Sequence, residues 1–112
     1  MIMQCKARED DMIALFTVSP MDKGESLSKY VALVVDLVDR CGLEYLLTAM
    51  GTIVEGDSDR VFDLIKECHE LMASVADRVV THVSIDDRKG SSDRMQGKIQ
   101  SIENALGRKV QE

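Results

Sequence analysis

The sequence predicts an α+β sandwich of the ferredoxin-like type, βαββαβ with an additional C-terminal helix, and three observations carry that prediction. Leu43 to Asp57, LEYLLTAMGTIVEGD, holds two short apolar runs around Met50-Gly51-Thr52, which reads as two strands joined by a tight turn. A strand-like MIALFTVSP and a helix-like SLSKYVALVVDLVDR precede it. The helix-like DSDRVFDLIKECHELMASVA and the strand-like DRVVTHVSID follow, so the periodicities run β-α-β-β-α-β.

The elements follow in order. Residues 1–11 show no apolar periodicity and are expected to form a flexible extension; the domain is expected to span 12–107, with 108–112 a tail. In the first strand Ile13, Leu15 and Thr17 point to one face, and Met12, Ala14, Phe16 and Val18 to the other. Neither set is strongly polar, so both faces are expected to be covered, the second one by another subunit or by the third helix. Pro20 ends the strand. Ser26, or alternatively Ser28, caps the first helix, whose buried stripe is Leu27, Tyr30, Val31, Val34, Val38 and Cys41, with Leu37 beside it. Gly42 is the stop.

Asp57 or Ser58 caps the second helix, and Val61, Leu64, Ile65, Cys68, Leu71, Met72 and Val75 form its stripe. In the last strand Val79, Thr81, Val83 and Ile85 are the better set for packing under the helices. A third stripe, Met95, Ile99, Ile102 and Leu106, ends at Gly107. A βαββαβ domain needs only two helices on one sheet face, so this third helix is expected over the open face, at an edge or on a neighbouring subunit.

Composition excludes several functions. With 112 residues the chain makes one domain whose core is marginal without a partner subunit. A net charge of −6 argues against binding a phosphate backbone, and aromatics at 4% with no Trp leave no stacking platform for bases, so no nucleic-acid partner is expected. No segment is apolar enough to span a bilayer, and the charged MIMQCKAREDD is unlike a signal peptide, so a cytoplasmic protein is expected. Cys5, Cys41 and Cys68 form no C-x-x-C pair; the latter two read as small core residues. Neither His69 nor His82 has ligands at zinc spacing, and no catalytic triad or phosphate-binding glycine loop is present, so no metal and no catalytic set are expected.

The order VSP, a Ser-rich helix start, TAMGTIVEGD, a helix holding ECHE, RVVTHVSIDDR and RMQGKIQSI resembles the YkoF-like family of small thiamine-binding proteins. MGTIVEG and SIDDR are its most specific parts, and the resemblance runs from Met12 to Leu106. Ala49 departs from the proline that many members carry before MGT. The resemblance implies binding without catalysis, of thiamine or its hydroxymethylpyrimidine half, and a homo-oligomer, dimer or tetramer, assembled through the sheets. No cofactor is implied.

Thiamine has one permanent positive charge and a flat aminopyrimidine, so it needs donors, acceptors and one carboxylate between apolar walls. Thr17, Ser19, Thr48, Met50, Gly51, Thr52 and Glu55, roofed by Ser28 and Tyr30, are the expected ligand-binding residues. Each has a plainer alternative. Thr48 and Thr52 are β-formers, Gly51 serves the turn, Met50 and Tyr30 belong to a core, and Ser19 and Ser28 are turn and cap hydroxyls. Glu55 either pairs with the thiazolium or is an exposed strand-end charge. Asp86-Asp87-Arg88 is expected as a surface ion pair or a subunit contact. Two other readings stay open: an enzyme of small-molecule metabolism using His69 or Glu55 as acid-base group, and a structural or regulatory oligomer without ligand.

Overall fold

The computed structural model describes residues 11–24, 27–90 and 94–111. The expected extension therefore lies outside the described residues except for Asp11, as does the Ser26 cap. The elements are β1 (Met12–Pro20), α1 (Ser28–Arg40), β2 (Glu44–Thr48), β3 (Gly51–Gly56), α2 (Ser58–Ala73), β4 (Val79–Asp87) and α3 (Arg94–Leu106). They form one antiparallel sheet in the order β2-β3-β1-β4, the ferredoxin-like arrangement, with α1 and α2 on one face.

Register decides which side chains meet the helices. Met12, Ala14, Phe16 and Val18 of β1 are buried with Val54 of β3, beneath Val34 and Val38 of α1 and Val61, Leu64, Ile65, Cys68 and Met72 of α2. The helix stripes thus pack mostly as their spacing predicts, but Val75, expected on the second stripe, lies past the end of α2 and is 36% exposed, and Val31 also falls outside the core. Val31 of α1 is 45% exposed, because it lies beyond the end of the core. Pro20 is paired with Val79 as the last residue of β1, a position where proline costs the ladder little.

The caps are only partly as expected. Asp57 caps α2, its Oδ1 accepting the Arg60 N–H at 3.0 Å. In α1 the cap position is Leu27, with no side-chain bond, and Ser28 is the first helical residue. Ser28 is therefore no cap. Gly42 and Gly107 have positive φ (86° and 75°) just past α1 and α3, the left-handed exit that Gly tolerates.

The other sheet face is open. Leu15 and Leu46 on it are 37% and 50% exposed, so the expectation of two covered faces is not met within one chain. The reason is α3. Its first turn reaches this face, but none of its residues is buried, and Ile102 and Leu106 are both more than half exposed. Val83 and Ile85 lie on the helix side, register partners of Phe16 and Ala14, yet remain about two-fifths exposed because β4 is an edge strand.

Candidate functional site

Below the β2–β3 hairpin the sheet leaves a gap. The hairpin turns at Ala49-Met50, so β3 pairs with β1 only as far as Thr52 opposite Phe16, while β1 continues against β4 to Pro20. The gap opens into a cavity of about 350 Å³. Phe16 and Val18 contribute from β1, Val31, Val34 and Val35 from α1, and Leu47 from β2. Met50, 81% exposed, stands at the hairpin tip.

The polar groups at this cavity divide into spent and available ones. Thr48 is spent on the turn: its hydroxyl donates to the Gly51 carbonyl at 2.8 Å and accepts the Met50 N–H at 3.1 Å. Thr52 is only 8% exposed and shares the helix-side face with Phe16; no described residue hydrogen-bonds its hydroxyl. Thr17 and Ser19 also line the cavity. Strand alternation sends their side chains to the open face, so they border the cavity with their main chain. A Cβ on Gly51, at φ 151°, would stand 3.0 Å from both the Phe16 oxygen and Thr17 Cγ2. Only glycine fits there, and the hairpin lies flat against β1.

Six of the nine expected ligand-binding residues, Thr17, Ser19, Thr48, Met50, Gly51 and Thr52, therefore meet around one cavity. Ser28, Tyr30 and Glu55 are not in its lining. Ser28 is exposed, and Tyr30 packs at the core margin with Lys29 Nζ 5.2 Å from its ring centre. The roof comes instead from Val31 and Val34, which the helix stripe contained without marking them as a wall, and from Val35, which lay outside the stripe.

Glu55 lies at the far end of β3 and is 4% exposed. Its carboxylate oxygens accept the N–H groups of Arg94 and Met95, at 2.5 and 3.2 Å, across 39 and 40 residues of sequence. It is thus neither an exposed charge nor near the cavity: it holds the N-terminus of α3, where unpaired N–H groups and the helix dipole favour an anion. Asp86 beside it pairs with Arg94 and, at 3.1 Å, with Lys98. The Arg94 bond and then the Lys98 bond hold the Asp86 carboxyl below the usual carboxylate range.

Several of the remaining titratable groups have structural roles. His69 Nδ1 is 2.7 Å from Thr81 Oγ1, joining α2 to β4. Asp22 accepts the Asp77 N–H at 3.0 Å, and this bond lowers its pKa. The Tyr45 hydroxyl donates to Asp39 at 2.5 Å, which raises its own pKa. Burial pushes the Cys68 thiol up to about 12, so it stays protonated and inert at neutral pH. Among the described residues no group of three His, Cys, Asp or Glu is placed to hold a metal ion. No helix among them is long and apolar enough to cross a membrane.

The fold and cavity define a small ferredoxin-like domain with an uncharged pocket at the strand gap. The chain belongs to the thiamine-binding protein family, whose sequence profile matches residues 14–103, and the resemblance read from MGTIVEG and SIDDR is thereby borne out. A UPF0045 protein of Methanocaldococcus jannaschii, MJ1052, is 34% identical over 91 residues, covering 81% of this chain and 91% of its own length. Its crystal structure superposes with a TM-score of 0.77 over 82% of this chain and 95% of that one. A UPF0045 protein of Methanothermobacter thermautotrophicus is 32% identical over 96 residues, 83% of this chain and 97% of its own. A Thermotoga maritima structure, described as a candidate thiamine biosynthesis/salvage protein, is 21% identical with a TM-score of 0.73 over 82% of this chain and 98% of that one, a likeness of fold.

Proposed function

We propose that this protein binds thiamine or its hydroxymethylpyrimidine half in the strand-gap cavity, without chemistry, as a cytoplasmic homo-oligomer. The observation that carries the reading is the convergence of six expected residues on a cavity of about 350 Å³ in a chain of the thiamine-binding family. Its walls are valine and leucine, with Thr52 offering a hydroxyl that no described residue engages. That is the usual make-up of a small-molecule site: apolar walls and a few placed polar groups.

The enzyme alternative loses support because its two acid-base residues are committed elsewhere, His69 to Thr81 and Glu55 to α3. Self-association, as dimer or tetramer, is favoured by the open sheet face and the exposed α3 stripe, both of which a second copy covers in this reading.

Titration calorimetry of the full chain with thiamine tests the binding reading. Saturable heat is expected, with the thiamine recovered chemically unchanged. Replacing the Thr52 hydroxyl by a methyl, Thr52→Val, removes one neutral hydrogen bond and should weaken binding about three- to tenfold. No heat with thiamine or with hydroxymethylpyrimidine refutes the reading, and conversion of the ligand refutes its non-catalytic part.

A further inference from the structure

A second cavity, of about 400 Å³, lies on the open face of the sheet. Register pairs Thr17 with His82 and Leu15 with Ser84, so these four side chains share the face opposite Phe16 and Val83. All four line the cavity, together with Met50 of the hairpin tip. Among the described residues, none hydrogen-bonds the Thr17 hydroxyl, the His82 ring or the Ser84 hydroxyl. Thr48, His69 and Glu55, by contrast, are all bonded within the fold.

The two cavities meet at the strand gap. Phe16, Thr17 and Met50 line both. β3 stops pairing with β1 at Thr52, so past Phe16 no strand on that side of β1 divides the helix face from the open face. The chemistry of the two cavities differs. The helix-side walls are mostly valine and leucine, whereas the open side gathers two hydroxyls and an imidazole, each of which has a hydrogen to donate. Among the described residues, no Asp or Glu lines either cavity, so nothing repels an anion at contact. Asp86, further along the open face, is occupied by Arg94 and Lys98. The net charge of −6 opposes a long run of phosphates, but a single group responds mainly to charges within a Debye length of about 8 Å. A phosphate ester presents three strong acceptor oxygens to three donors.

Resting on the binding reading and extending it, we infer that the site continues through the strand gap into a second lobe on the open face, where Thr17, His82 and Ser84 take a phosphate ester carried by the ligand. The helix-side cavity holds the ring, and the open-face lobe reads whether the ligand is phosphorylated. The lobe is at the hairpin end of that face, away from the first turn of α3 at Glu55. Because entry is through the gap, a second copy over Leu15 and Leu46 roofs the lobe without blocking it.

The test is calorimetric titration of the full chain with four ligands: hydroxymethylpyrimidine, thiamine and the phosphate monoester of each. At least one ester should bind about tenfold more tightly than its parent alcohol, the gain expected of one hydrogen bond to a charged group. His82→Ala should remove most of that gain and Ser84→Ala about threefold of it, with both parent alcohols bound as before. Both side chains are exposed and unbonded, so neither change threatens the fold. In NMR spectra the His82 ring signals should move on adding the ester and stay in place on adding the parent. Esters bound no better than their parents overturn the inference and leave the binding reading standing. A gain that survives both His82→Ala and Ser84→Ala does the same. Silence from all four ligands overturns the two together.

Discussion

At its Gly51 end, β3 is bordered by valines, a buried threonine and a turn that Thr48 closes on itself. At its Glu55 end, roughly 13 Å along the strand, it meets a helix N-terminus and the Asp86, Arg94 and Lys98 charges. The same strand carries a neutral pocket at one end and a charged clasp at the other. The difference follows from what each end has beside it. A buried carboxylate is tolerated only where N–H groups or cations surround it, and α3 supplies them at one end only. The hairpin end has no such supply, so its polar groups are hydroxyls and main chain.

The change with the largest expected effect joins the two ends by destroying what lies between them. Phe16 is 2% exposed, on the helix side of the sheet at the edge of the cavity. Phe16→Asp buries an unpaired charge there and should cost more than about 4 kcal/mol, enough to prevent folding. A dispersed native-like NMR spectrum from that variant contradicts the core assignment. Because Phe16 faces the helices rather than the open face, unfolding is expected instead of a folded, dissociated monomer.

Glu55→Ala separates the two ends. Losing the acceptor of two N–H bonds should destabilise the chain by about 1.5–3 kcal/mol in a denaturant titration. It should also raise amide exchange in the first turn of α3 while leaving thiamine affinity unchanged. A fall in affinity equal to the stability loss would tie the clasp to the pocket and break the comparison.

The smallest effect comes from acid. Asp86 has its pKa lowered in the fold, so its pairing with Arg94 and Lys98 contributes stability above the unfolded carboxylate value of about 3.9. That contribution is lost as pH falls through the lower folded value. Lowering the pH from about 6 to 3 should therefore loosen the start of α3 before it alters the hairpin, whose Thr48 bonds carry no titratable group. Amide exchange measured at the two pH values checks this; equal loosening of both regions contradicts it.

How much of this was legible in the sequence follows the range of the interactions. The βαββαβ order, the Asp57 cap, the Gly42 and Gly107 exits and most core residues follow from local periodicity and backbone chemistry, and these the sequence carries. The gathering of Thr17, Thr48, Gly51 and Thr52 was readable through the fold and the family resemblance. Glu55 was not, because its partners are the main-chain amides of Arg94 and Met95, about forty residues away, and an amide leaves no mark in a sequence. The roof was missed for a different reason. A helical stripe names the residues on one face, but not where along the helix the core beneath it ends. Val31 belongs to the stripe and stands over the cavity, while Tyr30 just before it and Ser28, nearly one turn earlier, do not.

The way α3 is fastened also sets how the molecule comes apart. In a free protomer it is held by its first turn, with no buried residue along its length to resist opening. Its release then exposes little apolar surface and has its own free energy, well below that of the sheet with α1 and α2. Heating should strip α3 first and the remainder later, so two probes report two midpoints: exchange at the α3 amides, and exchange at Val54 or Leu64 in the core. A single melting temperature for the chain would describe the sheet and its two packed helices, and be silent about the arm.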